Sequence, residues 1–404
     1  MRPAAAISAS RGHVQGGRCS LVEARSEAMV AVAVFMQTIF ARIGRLREVF
    51  QDINVSEQFH ALGGFYELCF KGGLNATLVN SNEQNDEFEE FYKQLDAERG
   101  TSRHLQVRVG EVKGDMLLHP TNALTPCVAA VGGPPCGPFS PGGKRKQDDD
   151  ERADCFWKFI DEIIHYARSG SLQFFCVENS HLICKREAKR VIEKLSVDAP
   201  CLAVACYKVQ LEPFLPSHRP RAFIVGSTIE LLGGSAVPKP ITDFGCEAVR
   251  LADILDKEWT AINVSTLQAK QNANYCMYMQ RIERDKCSGK AIEDDIAIFD
   301  IDRAAGKRWA MTLCYNKVPA MRLRGPKYAV VTVDKAGVPV GTTRQSFISN
   351  SERFKVLGYG EDISSKFSKD FGRRATGNAY ALPQIAAVVI PVMERIAEVK
   401  MARR

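Results

Sequence analysis

One of the 13 cysteines in this chain, Cys136, stands in a setting suited to nucleophilic chemistry. It belongs to the turn Gly132-Gly133-Pro134-Pro135-Cys136-Gly137-Pro138-Phe139-Ser140, directly after the apolar run Cys127-Val128-Ala129-Ala130-Val131. Prolines on both sides stiffen that turn, and the paired glycines let its backbone approach a ligand closely. An α/β enzyme holds a nucleophile at such a strand end. A second element is Phe174-Phe175-Cys176-Val177, a strand pattern ending in Glu178-Asn179-Ser180. A partly desolvated carboxyl at that position can hold or give a proton near neutral pH. The third is His218-Arg219-Pro220-Arg221 ahead of Ala222-Phe223-Ile224-Val225-Gly226. Two arginines one residue apart at the start of a strand point the same way, and their guanidinium forks suit carbonyl or phosphate oxygens. Each element also has a plain reading: a thiol buried as a small hydrophobe, a carboxyl capping a helix, and a pair of edge charges.

These side chains need a scaffold that delivers them to one place. From about Phe59 to Gly226, short apolar runs alternate with amphipathic stretches, which predicts an α/β domain with a mostly parallel sheet. Strands are expected over 77–80, 107–109, 128–131, 174–177, 202–207 and 222–225, and helices over 65–71, 87–97, 155–168 and 186–195. In the helix at 155–168, Phe156, Phe159, Ile160, Ile163 and Ile164 recur at steps of three and four, so one face can cover the sheet. Beyond Gly226 the pattern becomes irregular, with short β-like runs such as 328–333, and predicts a second, smaller domain over about 227–350. The stretch 384–399 is again an apolar amphipathic helix that can return to the first domain.

With 404 residues and a 45% hydrophobic fraction, the chain can bury a large core in about two domains. A net charge of +7 suits a polyanionic partner without being a basic tail. No Cys-x-x-Cys pair suggests zinc or a redox motif, so no metal is expected, and the odd cysteine count fits a reducing compartment. Residues 1–54 read as a partly disordered leader. Within it, 29–40 is too short to span a membrane and reads as a helix packed on the domain. Residues 1–22 are rich in Ala, Ser and Arg and lack acids, so an organelle address is a second reading.

The three elements, in this order and spacing, resemble the DNA cytosine-5 methyltransferase family over about 57–395. Pro135-Cys136 with Phe139-Ser140 is similar to the family's nucleophile turn, and Glu178-Asn179 to the pair that holds the target base. Arg219 and Arg221 match the paired arginines before the last core strand, and Gly377-Asn378-Ala379-Tyr380-Ala381-Leu382-Pro383 resembles the segment that completes the cofactor pocket. The resemblance implies a Rossmann-like S-adenosylmethionine-dependent methyltransferase core, with a smaller irregular target-recognition domain. The parts would be a leader at 1–54, the core at 55–226, target recognition at 227–350 and a returning segment at 351–404.

It implies S-adenosyl-L-methionine as cofactor, bound by Phe59, Gly63, Gly64, Glu83 at the ribose hydroxyls, Glu111 near the adenine, Pro134, Asn378 and Ala379. It further implies DNA as partner, a nuclear location and a monomer. Lys144 to Lys146 would face phosphates; Lys307, Arg308, Arg322 and Arg324 would contact the nucleic acid, and Thr312 and Leu313 the flipped base. The implied chemistry is attack of Cys136 on C6 of cytosine, with Glu178 at N3 and Arg219 or Arg221 holding the base. An RNA cytosine is the alternative substrate, and an impaired methyltransferase-like binding protein is the alternative class. Four departures stand out. Ala61 replaces the first glycine of the cofactor turn, placing a methyl group where ligand and backbone should be close, and 54–58 is too polar to predict a buried strand. Gly137 and Ser217 stand where the family commonly has Gln.

Overall fold

The computed structural model describes residues 20–59, 61–82, 87, 88, 90, 91, 94, 117, 120–139, 150–184, 186–256, 259–292, 295–303, 313–321, 327–333 and 344–404. The strand expected over 107–109 lies outside them. A six-stranded sheet in the order β2-β1-β3-β4-β7-β5 organises the fold. Its strands are β1 (Asp52–Gln58), β2 (Asn75–Asn82), β3 (Ala129–Gly132), β4 (Phe174–Ser180), β5 (Leu202–Val209) and β7 (Arg221–Thr228). The pairs β1/β2, β1/β3 and β3/β4 are parallel, and β7 runs antiparallel between β4 and β5. The short β6 (Ser217–His218) pairs with β10 (Val318–Pro319) outside this sheet.

β1 corrects the sequence reading. The segment judged too polar for a buried strand lies inside the sheet, with Ser56, Glu57 and Gln58 at most 1% exposed. Ser56 and Glu57 find partners there, which propensity alone cannot foresee, while Gln58 donates through Nε2 and leaves its Oε1 unpaired. Both Glu57 oxygens accept backbone bonds at the start of helix α2 (Gly64–Lys71), from Phe65 N at 3.0 Å and Tyr66 N at 2.9 Å. Ser56 Oγ accepts from Tyr166 Oη and from Gln58 Nε2. A buried carboxylate therefore closes a helix N-terminus whose amides have no partner within the helix.

The sheet is covered on both faces. On one, α3 (Arg152–Arg168) presents Phe156, Phe159, Ile160, Ile163 and Ile164, the predicted stripe, to Ala130, Phe175, Val177 and Ile224. Helix α4 (Glu187–Asp198) adds Val191 and Leu195 to the same layer. On the other face, Val55, Val131, Cys176 and Val225 meet α1 (Ser20–Gly44), α2 and the last helix, α9 (Leu382–Ala402). Residues 32–43 of α1 bury Val32, Phe35, Met36, Ile39 and Ile43, and Arg42 forks onto Glu394 of α9 at 2.6 and 3.0 Å. The described residues of the helix expected at 87–97 are helical, with Phe88 and Phe91 packed on Phe371 and Phe367. No helix among the described residues is long and apolar enough to cross a membrane.

A second, antiparallel sheet joins β8 (Ile296–Asp300), β9 (Leu313–Tyr315), β11 (Tyr328–Thr332) and β12 (Gln345–Phe347) in the order β12-β11-β8-β9. Helix α5 (Ala269–Cys287) lays Tyr275, Tyr278 and Ile282 on it, with Tyr278 stacked on Phe299. Helices α6 (Asn350–Lys355), α7 (Glu361–Ser364) and α8 (Lys369–Asn378) lead from there to α9.

Glu162 on α3 is buried beside the core, and one of its oxygens lacks a hydrogen bond. Burial pushes its carboxyl from 4.5 up to about 8. Across that interval the native chain keeps a proton that the unfolded chain has released, so the stabilisation present below the unfolded value is lost as pH rises. We expect the thermal midpoint of Glu162→Gln to gain on that of the parent steadily from pH 5 to pH 8.5. Calorimetry across that range checks it, and parallel curves would show that Glu162 titrates normally.

Candidate active site

Strand direction explains why the candidate residues meet. The carboxyl ends of β1, β3 and β4 share one edge of the sheet, in register at Gln58 with Gly132 and Gly132 with Val177. Because β7 is antiparallel, its beginning lies at that same edge, with Arg221 opposite Ser180 and Phe223 opposite Glu178. The turn at 59–64, the turn at 133–139, the end of β4 and the segment at 219–221 therefore converge, and Gly133 N donates to Gln58 O across the first two.

In the nucleophile turn, the Cys136 thiol is free and exposed while the frame around it is held. Asn179 Nδ2 donates to Pro134 O at 3.0 Å, and Asn179 Oδ1 accepts from Ser180 N at 2.8 Å. Phe139 N closes the turn onto Cys136 O, and the Phe139 ring packs on Phe156. Sequence reasoning did not single out Arg152. Its guanidinium lies against Gly137, where an added Cβ would come within 2.5 Å of it. Asp150 grips that guanidinium through two oxygens, at 2.8 and 2.7 Å. A glycine at 137, where the family commonly has Gln, thus makes room for a cation beside the thiol. The Asp150-x-Arg152 spacing, at the end of the charged run Lys144-Arg145-Lys146-Gln147-Asp148-Asp149-Asp150-Glu151, was the available signal, though such a run reads first as a solvated loop. Lys144, Arg145 and Lys146 lie outside the described residues.

Glu178 lies within β4, so it is not a helix cap. Arg221 Nε meets its carboxylate at 2.8 Å, and both side chains are largely buried. Arg219 has different surroundings. It is 2% exposed, donates to Ala379 O at 2.5 Å, and leaves Nε and one terminal nitrogen without hydrogen bonds. Strand geometry does not pair the two arginines, because Arg219 and Pro220 precede β7. Burial, with Arg221 nearby, pulls the Arg219 guanidinium down to about 9, opposed by Glu178 and Cys136. Gln384 of α9 fixes the Arg219 backbone, its Nε2 donating to Arg219 O and Val209 O.

The turn at 59–64 takes left-handed conformations at Phe59, Ala61 and Gly63, with φ of 54°, 45° and 59°. Non-glycine residues pay roughly 1–2 kcal/mol each for this. Ala61 is buried in the apolar cluster that also contains Ala379 and Tyr380. Tyr380 connects this turn to the nucleophile turn: a Cβ on Gly64 or on Gly133 would collide with its ring, at 2.8 and 2.6 Å. Tyr380 Oη and Gln58 Oε1 are buried there without hydrogen-bond partners. Those orphaned polar atoms, set between two glycine turns, fit a compact polar ligand. Phe59, Gly63, Gly64, Pro134 and Ala379 thus share one neighbourhood, while Asn378 is exposed at the end of α8. Glu83 and Glu111 lie outside the described residues, as do Lys307, Arg308, Thr312, Arg322 and Arg324. Leu313 is half-buried at the start of β9. Among the described residues, no group of three or more His, Cys, Asp or Glu is placed to hold a metal ion.

The model of the C-5 cytosine-specific DNA methylase family matches residues 59–399, and the chain belongs to that family. Several solved structures share its fold. Entamoeba histolytica methyltransferase EhMeth aligns with a TM-score of 0.53 at 14% identity, over 85% of this chain and 98% of its own. The S. pombe Dnmt2 methyltransferase aligns with a TM-score of 0.51 at 12% identity, over 85% and 98% of the two chains. A mutant of Spodoptera frugiperda DNMT2 gives 0.51 at 12%, over 85% and 99%. No curated protein matches the chain in sequence.

The two contacts at the nucleophile turn differ in kind. Asn179→Ala leaves Pro134 O unpaired in a buried setting, and we expect a loss of about 1–3 kcal/mol. Gly137→Ala displaces only the flexible end of Arg152, and we expect a change within about 0.5 kcal/mol. Equilibrium urea unfolding of both variants checks this; equal losses would mean that Arg152 is as fixed as Asn179.

Proposed function

We propose that this chain, as a member of the C-5 cytosine-specific methylase family, methylates carbon 5 of cytosine in duplex DNA, with S-adenosyl-L-methionine as donor and Cys136 as covalent nucleophile. One observation carries the reading. Asn179 ties the turn that holds Cys136 to the same strand end that carries Glu178, and Arg221 orients the Glu178 carboxylate. Carbon 5 of cytosine is a weak nucleophile until a thiolate adds to C6. Cys136 Sγ forms that bond, and the ring electrons shift toward C5 and N3. Glu178 then holds the proton or hydrogen bond at N3, while Arg221 keeps its carboxylate aimed and Arg219 supplies fixed positive charge behind it. Once C5 carries the methyl group, its proton passes to solvent, the C5–C6 double bond re-forms, and Cys136 leaves C6 with the bonding pair.

Phe59, Gly63, Gly64, Pro134, Asn378 and Ala379, with Glu83 and Glu111, would hold S-adenosyl-L-methionine; the orphaned hydroxyl of Tyr380 supports that placement. The cofactor, when bound, supplies an electrophilic methyl group. Base stacking buries C5 and C6, so the target must be flipped out at a cost of a few kcal/mol. The net charge of +7 favours the phosphates that offset it.

Transfer of a labelled methyl group to duplex DNA and to tRNA, run side by side, tests the substrate. We expect incorporation into duplex DNA, falling by about a thousandfold or more in Cys136→Ser, the scale of losing a nucleophile. Activity on tRNA alone would overturn the DNA assignment, and a fully active Cys136→Ser would remove Cys136 from the chemistry.

A further inference from the structure

Two more thiols meet away from this site. Strand β5 is the edge of the main sheet, and Cys206 on it lies opposite Ile224 of β7. Cys184 ends the 3-10 turn His181–Cys184, which follows directly on β4 and packs over β5 and β7. The two sulfurs are 3.5 Å apart, and both thiols are free and partly exposed. That separation is hydrogen-bonding contact, and a disulfide needs about 2.05 Å, so the two sulfurs must approach further for a bond to form. Lys208, two residues beyond Cys206, brings a positive charge to the pair. A hydrogen bond from Cys206, aided by Lys208, draws the Cys184 thiol down to about 7, and the same contact raises Cys206. The pair therefore divides into an attacking and a resolving sulfur.

We propose that Cys184 and Cys206 form a dithiol redox site that low-molecular-weight disulfides, such as oxidised glutathione, convert to an intramolecular disulfide. Cys184 thiolate attacks one sulfur of the oxidant, forming a mixed disulfide as the oxidant's own S–S bond breaks, and the departing thiolate takes a proton from water. Cys206 then gives its proton to solvent and attacks Cys184 Sγ, expelling the second thiol. The protein loses two electrons and two protons, and the oxidant becomes two thiols. The new bond closes a loop between positions 22 apart and staples the turn after Glu178-Asn179-Ser180 to the sheet edge.

The test exposes the full-length chain to oxidised glutathione, blocks remaining thiols with N-ethylmaleimide and maps the digest by tandem mass spectrometry. Fragmentation is needed because Cys176 shares a tryptic peptide with Cys184, and Cys201 with Cys206. We expect a cross-link between Cys184 and Cys206, two mass units lighter than the dithiol pair, before the exposed Cys201, Cys276 or Cys287 is modified. Its formation should shift the thermal midpoint upward. In Cys206→Ser, or in Cys206→Ala if serine is poorly tolerated, Cys184 should retain one glutathione; in Cys184→Ser, Cys206 should remain unmodified. Alkylation of both cysteines while the exposed ones carry glutathione would overturn the proposal. So would a parent chain in which Cys184 keeps glutathione without a cross-link.

Discussion

The buried guanidinium of Arg219, donating to the carbonyl of Ala379, is the contact on which the site depends. It joins residues 160 positions apart and places a full charge at 2% exposure. Desolvating such a charge costs several kcal/mol unless nearby groups compensate. Here the compensation comes from the carbonyl of Ala379, on the segment that leads into the last helix, and from Glu178 on β4. Gln384 on that helix secures the Arg219 backbone, and Tyr380, one residue beyond Ala379, then lies between the two glycine turns. The two glycine turns and the Arg219 backbone are therefore all contacted by one segment from the end of the chain.

Charge is layered around this contact. Arg152, held by Asp150, stands at the surface beside the Cys136 turn; Arg221 is largely buried on Glu178; Arg219 lies deepest. Interactions strengthen as water is excluded, so a charge at Arg219's depth is felt more strongly by its neighbours than one at Arg152's. The Glu57 carboxylate plays a structural part on the neighbouring strand, locking α2 to β1 and so setting the turn that follows.

Much of this was legible in the sequence because it rests on local pattern. The apolar runs that became β2, β3, β4, β5 and β7 and the stripe on α3 follow from periodicity, and Cys136, Glu178, Arg219 and Arg221 follow from motif order. What escaped were features fixed by distant partners. β1 reads as polar because its stabilising groups sit on α2 and α3. Arg152 gains meaning only when its guanidinium folds back over Gly137. The Cys184 and Cys206 contact, made between a turn and an edge strand, leaves no sequence signature at all.

The proposed chemistry turns on a covalent bond from Cys136 to a cytosine held beside Glu178. A duplex oligonucleotide carrying 5-fluorocytosine tests it most directly, because fluorine at C5 cannot leave as the proton does and the adduct cannot resolve. With S-adenosyl-L-methionine present, we expect a denaturation-resistant complex of one chain per duplex, with the modified peptide mapping to Cys136, and no such complex from Cys136→Ser. A wild-type protein that methylates ordinary cytosine yet forms no adduct, or an adduct that persists in Cys136→Ser, would contradict it.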